Sequence, residues 1–162
     1  MRRVIVNSTP LIVLCNIGEL NILKQLYKEI VIPEAVFREV TEKEASACQK
    51  IKQSLDWIHV ETIKVQSEKK MYRAKLHDGE VEVMILAQEG RWTDLLIIDD
   101  NAAKKTAKYL GLPVTGTLGV LLKAKNLGYI EAVKPILEKM QKAGFYISQD
   151  VVRIVLSQAS EM

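Results

Sequence analysis

Short runs of apolar and β-branched residues alternate along this chain with longer segments whose apolar positions recur at helical spacing. Arg3–Val6 is the first such run. It is closed by Asn7-Ser8-Thr9-Pro10, which reads as a strand entering a helix, with Ser8 or Thr9 as N-cap and Pro10 at the first helical position. Leu11–Ile17 and Glu19–Tyr27 read as helices separated by Gly18, and Glu29–Ile32 as a second strand stopped by Pro33. Pro33–Glu44 places Val36, Phe37 and Val40 on one helical face. Ala45–Leu55 follows as a helix with Ile51 and Leu55 inward, then Trp57–Ile63 as a weakly alternating strand. Ser67–Lys75 is a polar helix or loop. Asp78–Gln88 is the most apolar helix and is expected at the centre of the molecule. Leu95–Ile98 is a strand ending at Asp99-Asp100, and Asn101–Leu110 an amphipathic helix closed by Gly111 as a C-cap glycine. Pro113–Thr115 is a short strand, Leu118–Lys125 a helix ended by the Asn126–Gly128 turn, and Glu131–Ala143 and Gln149–Ser160 two final helices.

Strands that alternate with helices, and that are continuous apolar runs, imply an α/β fold whose mainly parallel sheet is covered on both faces. The chain has 162 residues and no linker, repeat or low-complexity stretch. One domain over residues 1–162 is therefore expected, with 130–162 as a C-terminal helical extension.

Composition narrows the chemistry. Two cysteines and two histidines, scattered singly, cannot supply the paired ligands of a structural zinc site or a disulfide framework. A single Cys15–Cys48 bridge stays open, although both fit better as core or near-core thiols. Any metal should then be held mainly by oxygen. The net charge of +3 permits a nucleic-acid partner without requiring one. The basic start is broken at Asn7–Pro10 before a signal-type apolar core can form, and no window approaches the ~20 apolar residues of a membrane span. A cytoplasmic protein with reduced thiols and no membrane partner is expected.

In an open parallel sheet, ligands bind beyond the carboxyl ends of the strands. Asn7 follows the first strand, and Asp99 and Asp100 follow Leu95–Ile98. Successive side chains on a strand point to opposite faces, so at least one of the two acids should turn into the cleft. Glu39 lies at the edge of the buried face of its helix. Glu80 lies in the first turn of the most apolar helix, where the helix dipole favours a carboxylate. Glu82 is about 200° further around that helix and cannot share the site equally. Clustered carboxylates repel one another unless a cation neutralises them, and an all-oxygen set suits Mg2+ or Mn2+. Such ions serve displacement at phosphorus. Each acid also has a structural role open to it: Asp99 or Asp100 as helix cap, Glu80 as dipole partner, Glu39 on a solvated face. Periodicity does not decide between the two.

Four segments, in order, resemble the PIN-domain family and its VapC-type toxin nucleases. They are Val4–Leu14 around Asn7-Ser8-Thr9, Ile32–Val40 with its Ile-Pro helix start, Asp78–Ala87 and Leu95–Asn101. Gly111–Leu122 and Ala143–Ser148 look like one branch of that family. The resemblance implies a Rossmann-like three-layer α/β/α sandwich with acids that bind Mg2+ or Mn2+ and hydrolyse RNA. Carried across, Asn7, Glu39, Glu80, Asp99 and Asp100 form the catalytic set. Glu39, Glu80, Asp99 and Asp100 are its metal ligands, and spacing favours Asp99 over Asp100. Asn7 stands where the family has aspartate, so the site lacks one negative charge.

The resemblance further implies an RNA substrate, a small cognate antitoxin that blocks the site, and a homodimer. The alternative is a PIN-fold module with weakened catalysis that binds RNA or a protein partner. Lys69, Lys70, Arg73 and Lys75, together with Lys104, Lys105 and Lys108, flank the proposed site in sequence and are candidates for RNA phosphates, or else line solvated helix faces. His77 is a candidate general base or a helix cap. Tyr72 and Trp92 are candidates for base stacking. Thr115 and Thr117 are candidates to orient a phosphate or water, or to form a turn and N-cap. A phosphatase or receiver domain fits less well: Asn7-Ser8-Thr9 carries neither aspartate that a haloacid-dehalogenase-type phosphatase needs, and Asp99 lacks a receiver's partners.

Overall fold

The computed structural model describes residues 3–42, 45–64, 76–90 and 94–162, with the backbone alone for 45–48. Five strands, β1 (Val4–Val6), β2 (Ile30–Pro33), β3 (Ile58–Glu61), β4 (Leu95–Ile97) and β5 (Val114–Thr115), form one sheet in the order β3-β2-β1-β4-β5. Every neighbouring pair is parallel. Every residue of β1 and β2 is buried, which is why these strands read as unbroken apolar runs rather than as alternating ones.

The helices are α1 (Ser8–Asn16), α2 (Asn21–Tyr27), α3 (Glu34–Glu42), α4 (Ala45–Lys52), α5 (Asp78–Glu89), α6 (Asn101–Tyr109), α7 (Thr117–Asn126), α8 (Lys134–Lys142) and α9 (Gln149–Gln158). The expected central helix is α5. It packs on β1, β2 and α3, and every residue from Gly79 to Ala87 is buried. The pattern is an α/β sandwich, as the alternation of elements predicted.

Strand order runs outward from β1 in both directions, to β2 and β3 on one side and to β4 and β5 on the other. The reversal falls between β1 and β4, paired as Val6 with Ile97. Beyond that pair the Asn7 N–H still donates to the Ile97 carbonyl at 3.0 Å, so the chain ends of β1 and β4 stay side by side.

Several local expectations are corrected. Asn7, not Ser8 or Thr9, is the N-cap of α1, and Pro10 is its third residue. Pro33 closes β2, paired with Glu61, rather than opening α3. Leu55 is 43% exposed instead of inward, because α4 ends at Lys52 and a turn follows, whereas Ile51 is fully buried as expected. The helix expected from Glu131 begins at Lys134. Gly111 does close α6: at φ +76° it donates to the Lys108 carbonyl while Leu112 donates to Ala107, a Schellman pair. The Ser67–Lys75 segment, Trp92 and the Cys48 side chain lie outside the described residues. Cys15 is half-buried, and burial raises its thiol above the ordinary value while nearby Lys50 opposes this.

Two polar clusters brace the frame. Arg3 bonds Asp94, which is buried, as well as Glu61 and the Leu86 carbonyl. Glu161 accepts from the N–H groups of Val133 and Lys134 and from Lys125 Nζ, at 2.6, 2.9 and 2.9 Å. It thereby caps α8 from a distant point in the sequence and ties the chain beyond α9 to α7.

Candidate active site

The sheet places four segments at the strand-order reversal. Asn7 ends β1 and is buried; its side chain makes no capping bond to α1. Ser8, also buried, donates from Oγ to Glu39 Oε2 at 2.7 Å, which brings α3 to the first strand's end. Glu39 is half-buried. Its other oxygen lies against Gly79, where a Cβ would collide with Glu39 Oε1. The glycine in the first turn of α5 is thus a close-approach residue that lets the carboxylate of α3 reach α5.

Glu80 follows Gly79 and is 7% exposed. Its Oε1 accepts from the His77 N–H at 3.0 Å, the backbone of the residue capping α5. Burial raises the Glu80 carboxyl above its ordinary range, and the charges of Asp100 and Glu39 raise it further. The His77 N–H bond and the His77 charge pull it down without cancelling the rise. Glu80, Glu39 and Asp100 therefore sense one another electrostatically. Glu82 does not belong with them: it is buried and accepts from the Ala35 N–H at 2.9 Å, holding the start of α3. The two glutamates of α5 divide as their angular separation predicted.

The two aspartates after β4 divide as well. Asp100 caps α6, with Oδ2 accepting from the Ala103 N–H at 2.9 Å. Asp99 uses both oxygens on one residue: Oδ1 accepts from the Thr117 N–H at 2.8 Å and Oδ2 from Thr117 Oγ at 2.6 Å. Among the described residues, then, Asp99 has both oxygens engaged. Among the described residues, Glu39, Glu80 and Asp100 each accept from one protein donor, through one oxygen.

Among the described residues, no group of three or more Asp, Glu, His or Cys side chains is placed to hold a metal ion. Lys104 is half-buried beside Asp99 and Lys105 is exposed. Lys69, Lys70, Arg73 and Lys75, like Tyr72, lie outside the described residues. A cavity of about 510 Å³ between α7 and α9 is lined by none of these residues.

Sequence reading missed two side chains that fix this arrangement. Ser8 read as a cap, and its bond to Glu39 spans 31 positions, beyond the reach of local pattern. Thr117 read as a residue to orient a phosphate or water, or as a turn and N-cap residue; it is the first residue of α7 and donates to both Asp99 oxygens, a pairing the sequence did not reveal. The available signal was a Gly-Thr pair just after a strand that neighbours the acidic one.

An all-parallel α/β sandwich with acids near its strand-order reversal belongs to the open-sheet α/β class, whose members generally bind ligands in that crevice. The particular family follows from comparison: a PIN-domain family model matches residues 3–161, and the chain belongs to the PIN-domain family. PIN domains are generally metal-dependent nucleases. No curated protein sequence matches the chain.

Proposed function

We propose that this chain is a divalent-metal-dependent endoribonuclease resembling the toxin of a VapBC-type pair. The observation that supports the reading is the division among carboxylates: at the switch point of a PIN fold, three acids each keep, among the described residues, an oxygen without a donor, and the charges of Asp100 and Glu39 act on Glu80. The donor set is hard oxygen and suits Mg2+ or Mn2+. Such ions are held by one or two carboxylates together with water and substrate phosphate, so a set that is near but not caged fits them.

Glu39, Glu80 and Asp100 would hold the ion, with the neutral carbonyl of Asn7 beside them. Asp99, although spacing favoured it, acts by fixing the end of β4 to α7. The ion, when bound, supplies activation of water and stabilisation of charge on the scissile phosphate. The protein's part is to orient. Ser8 and the His77 N–H set the carboxylate planes of Glu39 and Glu80, Gly79 lets the two approach, and the Asp100 cap on α6 fixes the third oxygen. The wider reading is one PIN domain over 1–162 with 130–162 as a helical extension, acting in the cytoplasm as a homodimer silenced by a small antitoxin. No described helix is long and apolar enough to cross a membrane.

The test is cleavage of RNA by the purified chain, free of other proteins, with Mn2+ or Mg2+ against EDTA. Cleavage that needs the metal and is lost more completely in Asp100→Asn than in Asp99→Asn is expected. Metal-independent cleavage, or none, sinks the nuclease reading. A second reading, a PIN-fold module that binds RNA or a protein without cutting, is favoured by Asn7, since a neutral group there lowers the charge available to a cation. Its signature is RNA binding without cleavage in the native chain and cleavage restored by Asn7→Asp.

A further inference from the structure

The three lysines of α6 are not equivalent. Lys105 and Lys108 are exposed, but Lys104 is half-buried and leans over the residue that caps α7. A Cβ placed on Gly116 would stand 2.9 Å from Lys104 Nζ and 2.7 Å from Asp99 Oδ1. Only a residue without a side chain leaves room for both groups at that spot.

An ammonium beside a carboxylate ordinarily closes an ion pair. Here the Asp99 oxygens already accept from Thr117, and among the described residues Lys104 Nζ has neither an ion pair nor a hydrogen bond. Arg3 is engaged with Asp94 and Glu61, Lys125 with Glu161, Lys139 with Glu19 and Arg153 with Asp150, whereas Lys104 is half-buried and has no such partner among the described residues. Lys104 therefore holds its donors in reserve. It does so one helical turn after Asp100, whose carbonyl accepts the Lys104 N–H at 2.9 Å.

A polyanion approaching Glu39, Glu80 and Asp100 meets repulsion. A partly desolvated cation on the β5 flank of those acids offsets it more strongly than a fully solvated lysine would. We infer that Lys104 binds the RNA phosphate adjacent to the scissile one, with Gly116 keeping the approach to its ammonium open. The inference rests on the nuclease reading and adds to it the residue that seats the substrate backbone. Because the contact is to a neighbouring phosphate, it acts on substrate affinity more than on the chemical step.

The test uses a fluorescently labelled single-stranded RNA of mixed sequence, bound in EDTA so that no cleavage intervenes, over a range of NaCl concentrations. Lys104→Gln is expected to weaken binding severalfold at low salt. It should also flatten the slope of log affinity against log salt by about 0.7, the loss of one phosphate contact on a single strand. Lys104→Arg should retain the wild-type slope. Gly116→Ala, which crowds the ammonium without changing the charge, should behave like Lys104→Gln. In cleavage assays with Mn2+, Lys104→Gln should raise KM and leave kcat within about twofold, since uniform binding is what it removes. A wild-type chain that cuts RNA while Lys104→Gln keeps the same salt slope and KM overturns the assignment of Lys104 and leaves the nuclease reading standing. A wild-type chain that neither binds nor cuts RNA overturns both. A Lys104→Gln protein that loses thermal stability but keeps its slope also overturns the assignment, because Lys104 is then only a structural residue.

Discussion

Glu161 and Glu80 are both largely buried carboxylates, and the fold treats them in opposite ways. For Glu161 burial pushes the carboxyl upward, but the N–H groups of Val133 and Lys134 and the Lys125 ammonium outweigh it and hold it down at about 2. For Glu80 burial also pushes upward, a single N–H from His77 opposes it, and Asp100 and Glu39 add to the rise. One acid is surrounded by donors and ties α7, α8 and the end of the chain together. The other feels the charges of Asp100 and Glu39 and, among the described residues, bonds only its own helix cap. Donors around a carboxylate build a fold; acids around a carboxylate leave an unmet demand for positive charge, which is what a cation site needs.

The largest effect that tests this contrast is on catalysis. Glu80→Gln keeps the shape and the cap acceptor but removes the charge. Cleavage should fall by on the order of 10²–10³-fold, as for other single charged groups at a reacting centre, while Glu161→Gln leaves the cleavage rate near wild type. Comparable losses in the two variants would erase the distinction between them.

Next in size is Gly79→Ala. The new Cβ meets Glu39 Oε1, the far end of a flexible side chain, and also comes to 3.2 Å from Val36 Cγ2. Alanine is the better helix former by up to about 1 kcal/mol, so thermal stability should hold or rise. Displacing Glu39 from α5 should weaken Mn2+ binding by about 10-fold or more, as for changes that misorient a metal ligand. Calorimetric titration of Mn2+ beside a melting curve separates the two readouts, and unchanged Mn2+ affinity would remove Glu39 from the proposed set.

A smaller effect falls on stability. Glu161→Gln should lower it by about 1 kcal/mol at pH 7, the usual scale for a lost helix cap, seen as a drop of a few degrees in Tm. Its pH dependence has a definite sign. The folded carboxyl is depressed below its ordinary value of 4.5, so its stabilisation is complete above that value and is lost as pH falls through about 2. Wild type and Glu161→Gln should therefore converge in acid.

The frame was largely legible in the sequence. Arg3–Val6, Glu29–Ile32 and Leu95–Ile98 were readable as strands because a sheet buried on both faces needs unbroken apolar runs, and Asp78–Gln88 as central because it has almost no polar face. The acids could be named because strand ends and first helical turns are recognisable positions. What could not be read was which oxygens remain available. That depends on Ser8 meeting Glu39, Thr117 meeting Asp99 and Gly79 admitting Glu39, pairings between distant segments that exist only once the sheet has ordered them. Spacing along the strand favoured Asp99 over Asp100 but could not show that Thr117 bonds both Asp99 oxygens: it says where a carboxylate is, not what it accepts from. Leu55 shows the same limit within the frame, since its apolar character could not reveal that α4 stops before it.

The smallest effect is the most direct mirror of Glu161. With its folded carboxyl raised, Glu80 is favourable to stability only while protonated; the penalty for ionising it grows as pH rises from its ordinary value of 4.5 through the raised folded value. Glu80→Gln should thus be slightly more stable than wild type at neutral pH, by an amount within about 1 kcal/mol, and should match it in acid. The two glutamine variants would diverge from wild type in opposite directions as pH increases. Mn2+ turns this into a test of cause. A ligand bound only by the folded state stabilises it in proportion to the logarithm of its saturation, so Mn2+ should raise the Tm of wild type at pH 7 more than that of Glu80→Gln and narrow or reverse the gap. An equal rise in both proteins would mean that Glu80 repels its neighbours for some purpose other than holding a cation.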